Sequence, residues 1–144
     1  MNQFQSLREY EEYVYRLPQQ YPSISYSTLV LVRRGRRTAI LHGELAFQDG
    51  IRLGIRERLS FDADVLTIED YGYEFWQNEI KIVWYDSQPH PDNPSLASTH
   101  PHHKHVPPDI KHNRIPAPGL SFERPNLPFL IEEIERDYLS RQTE

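Results

Sequence analysis

Apolar residues near the start of the chain recur with the spacing of an amphipathic helix. The stripe follows the i, i+3, i+4, i+7 pattern and consists of Tyr10, Tyr13, Val14 and Leu17. Ser6 and Glu9 have the S-x-x-E spacing of a capping box, and Pro18 cannot continue a helix because it lacks an amide hydrogen. The pattern therefore predicts a helix over residues 6–17.

Between residues 25 and 86 the pattern changes to the alternation of β-strands. In IRLGIRERLSF, apolar side chains point to one face and arginines to the other. Short turns such as RRGRR and QDG separate about five strand-like runs, and they leave no room for crossover helices. The alternation therefore predicts an antiparallel meander sheet of about five strands.

The rest of the chain combines a proline- and histidine-rich segment with a second apolar stripe. Most of the 12 prolines follow residue 88, so residues 87–125 are predicted to form a long irregular loop. Asn126 is a candidate N-cap for a helix over residues 127–141. The predicted fold is a single α+β domain of residues 1–144, with both helices on one face of the sheet.

Composition narrows the function classes. The chain has no cysteine and no apolar run near the ~20 residues that cross a bilayer, so we expect a cytoplasmic protein without disulfides or membrane spans. A net charge of −5 argues against general nucleic-acid binding. The charge is uneven, however, because the segment 33–58 is locally basic, so one region could still face phosphate.

Arginines in that basic segment are candidates for binding a nucleic-acid backbone. Their planar guanidinium groups make bidentate contacts with phosphate. An exposed sheet face, with Glu44 and Glu57 as ion-pair partners, explains them equally well. The candidates are Arg33 and Arg34 in the RRGRR turn and Arg52, Arg56 and Arg58 along one strand face.

Six of the 7 histidines lie between residues 90 and 112, which raises three readings. In the first, two imidazoles act as base and acid in metal-independent RNA cleavage, and Lys104 stabilises the charge on phosphate. In the second, the same imidazoles bind a divalent metal ion for a nuclease or hydrolase. In the third, the segment is a polar loop without a shared chemical task. The metal reading would use His100, His102, His103 and His105.

Two short motifs carry a family resemblance. YDSQPH contributes Tyr85, Asp86 and His90, and PHHKH follows after a polar spacer. Together with the meander, they resemble the TumE-like toxin family of toxin–antitoxin modules. The resemblance covers about residues 20–135 in layout, but Ser87 and Gln88 depart from its pattern. It implies a growth-inhibiting toxin paired with a DNA-binding protein antitoxin.

The residues and the resemblance together predict an RNA-directed toxin, with a metal-independent ribonuclease as the first hypothesis. His102 and His105 are the expected base and acid, and Lys104 the charge stabiliser. Asp86 and His90 are expected to orient them. The remaining candidate catalytic residues are His103 and Tyr85. A metal-dependent nuclease or hydrolase and a non-enzymatic binding module remain alternatives, and the sequence leaves open whether the toxin forms a homodimer.

Overall fold

The computed structural model describes residues 4–87 and 101–139 and has an α+β fold. The strands are β1 (Tyr26–Ser27), β2 (Val30–Arg33), β3 (Thr38–Ala46), β4 (Ile51–Asp62), β5 (Val65–Gln77), β6 (Ile80–Ser87), β7 (His102–His105) and β8 (Arg114–Pro116). The helices are α1 (Leu7–Tyr15), α2 (Leu17–Gln20) and α3 (Leu127–Asp137). No helix within the described ranges is long and apolar enough to span a membrane.

All eight strands belong to one antiparallel sheet, which confirms the predicted strand direction. The order across the sheet is β1, β3, β4, β5, β6, β7, β8, and β2 also pairs with β3. The long hairpin of β4 and β5 forms its centre. Ala63 and Asp64 connect these strands with positive φ angles of 52° and 62°, as in the tight turns that suit twisted hairpins.

The strand count of about five is wrong, because the sheet has eight strands. The first predicted strand is divided into β1 and β2. Two further strands, β7 and β8, lie inside the predicted irregular loop 87–125 and extend the sheet beyond β6. The sequence HHKH of β7 was not predicted as a strand because it shows no apolar alternation. Residues 88–100 of the predicted loop lie outside the described residues.

Both predicted helices form, but their ends differ from the prediction. Helix α1 begins after Ser6, whose side-chain oxygen accepts a hydrogen bond from the Glu9 amide at 3.1 Å. It ends at Tyr15, and Pro18 lies in the first turn of α2, where no helical amide hydrogen is required. Helix α3 ends at Asp137 rather than at residue 141.

Helices α1 and α3 cover one face of the sheet, as predicted. The Tyr10 hydroxyl of α1 donates to Glu57 of β4 at 2.6 Å, and Glu133 of α3 accepts from the Tyr85 hydroxyl of β6. The buried side chains between these layers include Val14, Leu41, Leu45, Leu53, Leu59, Tyr71, Tyr73, Phe75, Leu130 and Ile131. We call this side the helix face. The opposite side, which carries Arg52, Arg56 and Arg58, is called the arginine face.

Candidate active site on the arginine face

The sequence HHKH of strand β7 directs its side chains alternately to the two faces of the sheet. The pairing of β7 with β6 puts His103 and His105 on the arginine face, and His102 and Lys104 on the helix face. The expected base and acid, His102 and His105, therefore lie on opposite sides of one strand. The structure does not bring them together.

Lys104 and Tyr85 meet a carboxylate of helix α3 on the helix face. The Lys104 ammonium group lies 2.6 Å from Glu133, whose side chain is only 4% exposed. The Tyr85 hydroxyl donates to the same carboxylate. Burial raises the pKa of Tyr85, and the hydrogen bond to Glu133 raises that pKa further. These two predicted catalytic residues thus join β6 and β7 to the C-terminal helix.

His102 is enclosed by aromatic rings on the helix face. Its ring is stacked on Tyr71, with an interplanar angle of 3°, and lies 4.4 Å from the Phe122 ring, centre to centre. Its Nδ1 atom is hydrogen-bonded to the Tyr71 hydroxyl. Because burial raises the pKa of Tyr71, this hydroxyl stays protonated and can donate the hydrogen bond to Nδ1. His102 therefore packs in the core.

His105 holds a carboxylate on the arginine face. Its Nε2 atom lies 3.2 Å from Asp86 Oδ1, and its Nδ1 atom lies 2.9 Å from the Ile110 carbonyl oxygen. The ring is also stacked on Trp84 at 4.0 Å. The His105 side chain is 4% exposed whereas that of Asp86 is 20% exposed. Of this pair, Asp86 is the member that solvent can reach.

Strand register extends this pair into two rows of side chains that cross the arginine face. The first row contains Glu44, Gly54, Glu74, Trp84, His105 and Arg114. The second row contains His42, Arg56, Gly72, Asp86, His103 and Pro116. Neighbours within a row have Cβ atoms about 4.5–5.5 Å apart, so their side chains can act on one ligand.

A groove of about 440 Å³ lies on the β3–β6 part of these rows. Its volume falls within the range of ligand-binding clefts. Gly54 and Gly72 contribute only backbone to it, and Asp86 is part of its lining. The other residues of the arginine face that line it are Glu44, Arg56, Glu74 and Trp84. The structure thus places one end of the motif YDSQPH beside a concave surface.

The arginines of the arginine face differ in their positions. Arg56 lines the groove, and its guanidinium lies over Gly72, 3.0 Å from where a β-carbon would be. It shares the carboxylate of Asp70 with Arg58, so the two guanidinium groups face one carboxylate there. Arg52 pairs with Glu44 at 2.5 Å, as the ion-pair reading of the sequence expects.

Two predicted arginines do not join this group, and two predicted histidines cannot be placed. Arg33 and Arg34 lie in or beside the β2–β3 turn, at the other end of β3 from the groove. Arg33 lies 3.9 Å from Glu11 of α1 instead. His90 and His100 lie outside the described residues.

Metal ligation was the alternative role of the histidine cluster. Across residues 4–87 and 101–139, no group of three or more His, Cys, Asp or Glu side chains is arranged to hold a metal ion. Of the four proposed ligands, His102 points away from His103 and His105, and His100 is not among the described residues.

Glu57 is the polar group that the sequence placed wrongly. An ion pair with arginine was expected, but Glu57 follows the alternation of β4 with Ile55 and Leu59 and is fully buried on the helix face. It accepts hydrogen bonds from Tyr10 and Tyr73, both at 2.6 Å, and Asn126 donates to the Tyr73 hydroxyl. Burial raises the pKa of Glu57, and the two tyrosine hydrogen bonds oppose that rise.

The sequence reading also missed Gly54, Gly72 and Glu74 of the groove. Isolated glycines inside two strand patterns were the available signal, because such positions often mark close approach by a ligand or another backbone. Neither glycine has a positive φ angle, so turn geometry does not account for them.

Comparisons with known proteins identify the family. A family model described as Toxin TumE matches residues 14–138, a range that contains the whole sheet and helix α3. No curated protein matches the chain, and no solved structure matches it. The match confirms the resemblance that the two motifs carry. The chain therefore belongs to the TumE family of toxins from toxin–antitoxin modules.

Proposed function

We propose that this toxin cleaves RNA without a metal ion, at a site on the arginine face. One observation carries the proposal. Asp86 lines a groove, is hydrogen-bonded to His105, and lies in one row with His103 and Arg56. A carboxylate, an imidazole and a guanidinium can supply the base, the acid and the charge stabiliser that cleavage of an RNA phosphodiester requires. Membership of the family implies a cognate antitoxin that restrains this activity in the cell.

The proposed reaction is attack of a ribose 2′-hydroxyl on the adjacent phosphorus. Asp86 accepts the hydroxyl proton as the base, and His103 gives a proton to the departing 5′-oxygen as the acid. The new bond joins the 2′-oxygen to phosphorus, and the bond from phosphorus to the 5′-oxygen breaks. The products are a 2′,3′-cyclic phosphate and a free 5′-hydroxyl, so protons and bonds balance without a cofactor.

The geometry supports these roles. Asp86 and His103 are direct cross-strand neighbours, so a phosphate held at the 20% exposed Asp86 would lie next to His103, which is 6% exposed. Arg56 is in the same row, one strand beyond Gly72, and its guanidinium suits the charged phosphate oxygens. His105 acts as a positioning residue, because its Nε2 atom holds Asp86.

This assignment differs from the one expected from sequence. The contacts of three predicted catalytic residues lie on the helix face, where they hold β6 and β7 to the core: His102, Lys104 and Tyr85. His90 keeps its expected orienting role as a prediction.

The test is cleavage of total cellular RNA by the purified toxin, with and without EDTA. We expect cleavage to survive EDTA and to fall about 10²–10⁴-fold in Asp86→Asn, the usual range for loss of a general base. Asp62→Asn is the matched control, because Asp62 is an 81% exposed side chain at the far end of β4. Loss of cleavage in EDTA would favour the metal-dependent alternative. No cleavage by the folded toxin would contradict the proposal and favour a non-enzymatic binding module.

A further inference from the structure

We infer that the groove beside Asp86 is a base-binding subsite that takes an unpaired guanine of the RNA. The inference rests on the proposed function, because it gives the groove to the base that adjoins the cleaved phosphate. It adds a substrate preference that the catalytic groups alone do not specify.

Gly54 forms part of the groove floor, and the fold does not require a glycine at this position. It lies in the interior of β4, where glycine costs roughly 0.5–1 kcal/mol relative to alanine. Its φ angle is not positive, and a β-carbon there would meet nothing closer than Glu74 at 3.7 Å, an ordinary contact. Alanine would therefore fit the fold at this position and stabilise the strand. A flat ligand lying on the backbone explains why the side chain is absent.

Two carboxylates flank this floor in the same row. Glu44 of β3 and Glu74 of β5 are the direct neighbours of Gly54 on either side. Their side chains are 39% and 44% exposed, so both can reach a ligand. Arg52 lies 2.5 Å from Glu44, and Lys81 lies 3.1 Å from Glu74. These cations balance the two charges. The Trp76 indole N–H also donates to Glu74 Oε1 at 3.2 Å, so each Glu74 oxygen already accepts one hydrogen bond and keeps further lone pairs for a ligand.

Guanine is the base that such an acceptor pair recognises. Its Watson–Crick edge presents two adjacent donors, N1–H and the 2-amino group, which one carboxylate can accept together. Adenine and cytosine each present one donor beside an unprotonated ring nitrogen, which a carboxylate repels. Uracil presents one donor between two carbonyl oxygens. A carboxylate acceptor therefore selects guanine among unpaired bases, whose edges are accessible in single-stranded RNA.

The other walls suit the rest of a nucleotide. Arg56 lies next along β4 on the same face, where it can meet the phosphate that follows the base. Trp84 closes the side towards His105, and its ring is in contact with His105 at 4.0 Å and with the Lys81 ammonium at 4.3 Å. Trp84 therefore acts as a wall rather than as a stacking platform.

Direct binding of mononucleotides tests the inference without relying on turnover. The probes are the 3′-monophosphates of guanosine, adenosine, cytidine and uridine, titrated into the purified toxin by calorimetry. We expect guanosine 3′-monophosphate to bind about tenfold or more tightly than the others, since hydrogen bonds to a charged group are worth about that much. Equal affinities, or no saturable binding of any of the four, would overturn the inference.

Gly54→Val fills the floor and should weaken guanosine 3′-monophosphate binding by about tenfold or more. Ser60→Val is its control, because Ser60 lies on the same strand and face but outside the groove. Glu74→Gln should remove the preference for guanosine while it keeps the shape of the side chain. Unchanged selectivity in Glu74→Gln, or equal effects of the two valine variants, would also overturn the inference.

The two proposals fail separately. Guanosine 3′-monophosphate binding that Gly54→Val abolishes, in a toxin that cleaves no RNA, would keep the subsite and reject the ribonuclease. Cleavage that depends on Asp86 but shows no guanosine preference would keep the ribonuclease and reject the subsite.

Discussion

The two faces of the sheet use the same residue types in opposite ways. On the helix face, Glu57 and Glu133 are buried and their oxygens accept from tyrosine hydroxyls and Lys104. On the arginine face, Asp86 and Glu74 remain partly exposed beside a groove. A carboxylate that is fully satisfied and buried fixes the fold, whereas one that solvent reaches is available to a substrate.

The same contrast occurs within four residues of strand β7. Alternation puts His102 and Lys104 on the helix face and His103 and His105 on the arginine face. Composition alone gives no such division, since the four side chains are consecutive in the motif.

Removing the Glu133 carboxylate, which joins β6 and β7 to helix α3 on the helix face, should have the largest effect on the free energy of unfolding. We expect Glu133→Ala to lower the free energy of unfolding by about 3 kcal/mol, because Lys104 and the Tyr85 hydroxyl would lose their buried acceptor. Glu132→Ala, at an exposed position of the same helix, should change it by less than about 0.5 kcal/mol. Urea unfolding measures both. Equal losses would mean that the Glu133 contacts do not stabilise the fold.

Loss of a single hydrogen bond to Glu57 should lower the free energy of unfolding by less than Glu133→Ala does. Tyr10→Phe should cost about 1–2 kcal/mol, because it leaves one oxygen of the buried carboxylate without its donor. Tyr13→Phe on the same helix should cost less, since the Tyr13 hydroxyl has no hydrogen-bond partner among the described residues. Thermal unfolding compares the two variants, and a larger loss in Tyr13→Phe would contradict the role given to Glu57.

Glu57 also gives stability a defined pH dependence. Burial raises its pKa in the folded state above the ordinary value of 4.5, so its ionisation disfavours folding. Its contribution is fully present below about pH 4.5 and is lost as pH rises through the raised folded-state pKa. The stability of Glu57→Gln relative to the wild type should therefore improve with rising pH. A relative stability that stays level or worsens would contradict the pKa direction.

On the arginine face, replacement of either of two matched arginines should change the salt dependence of RNA binding, by slightly different amounts. Arg56 and Arg58 are both 61% exposed and both pair with Asp70, but only Arg56 lines the groove. Arg56→Ala should reduce the salt dependence of RNA binding by about 0.7 in the slope of log K against log salt, the value for one phosphate contact. Arg58→Ala should reduce it less, and a larger change in Arg58→Ala would move the RNA away from the groove.

Much of the fold could be predicted from the sequence because apolar periodicity records burial. The stripes of α1 and α3 and the alternation in β4 identified the core faces correctly. Strand β7 could not be predicted this way, since HHKH has polar residues on both faces. Its pairing with β6 identifies it as a strand only in the folded structure. The mistake at Glu57 has a different origin, because the alternation of β4 puts Glu57 on the buried face whereas its acidic side chain suggested an ion pair with the exposed arginines.

The candidate site was harder to predict than the fold. The two motifs identified Asp86, His103 and His105 as candidates, but they do not show which histidines share a face. That sorting depends on the register of β6 and β7. The groove depends on register over four strands, so Gly54, Glu74 and Arg56 become neighbours only in the folded sheet.

The most direct test of the central claim, that the chemistry lies on the arginine face, compares two histidines of β7. The RNA cleavage rate of His103→Asn and of His102→Asn would be measured per folded molecule, with the folded fraction taken from circular dichroism. We predict that His103→Asn slows cleavage by about 10²-fold or more, as expected for loss of a general acid, whereas His102→Asn retains the wild-type rate. A wild-type rate in His103→Asn with a large loss in His102→Asn would contradict the account and move the chemistry to the helix face.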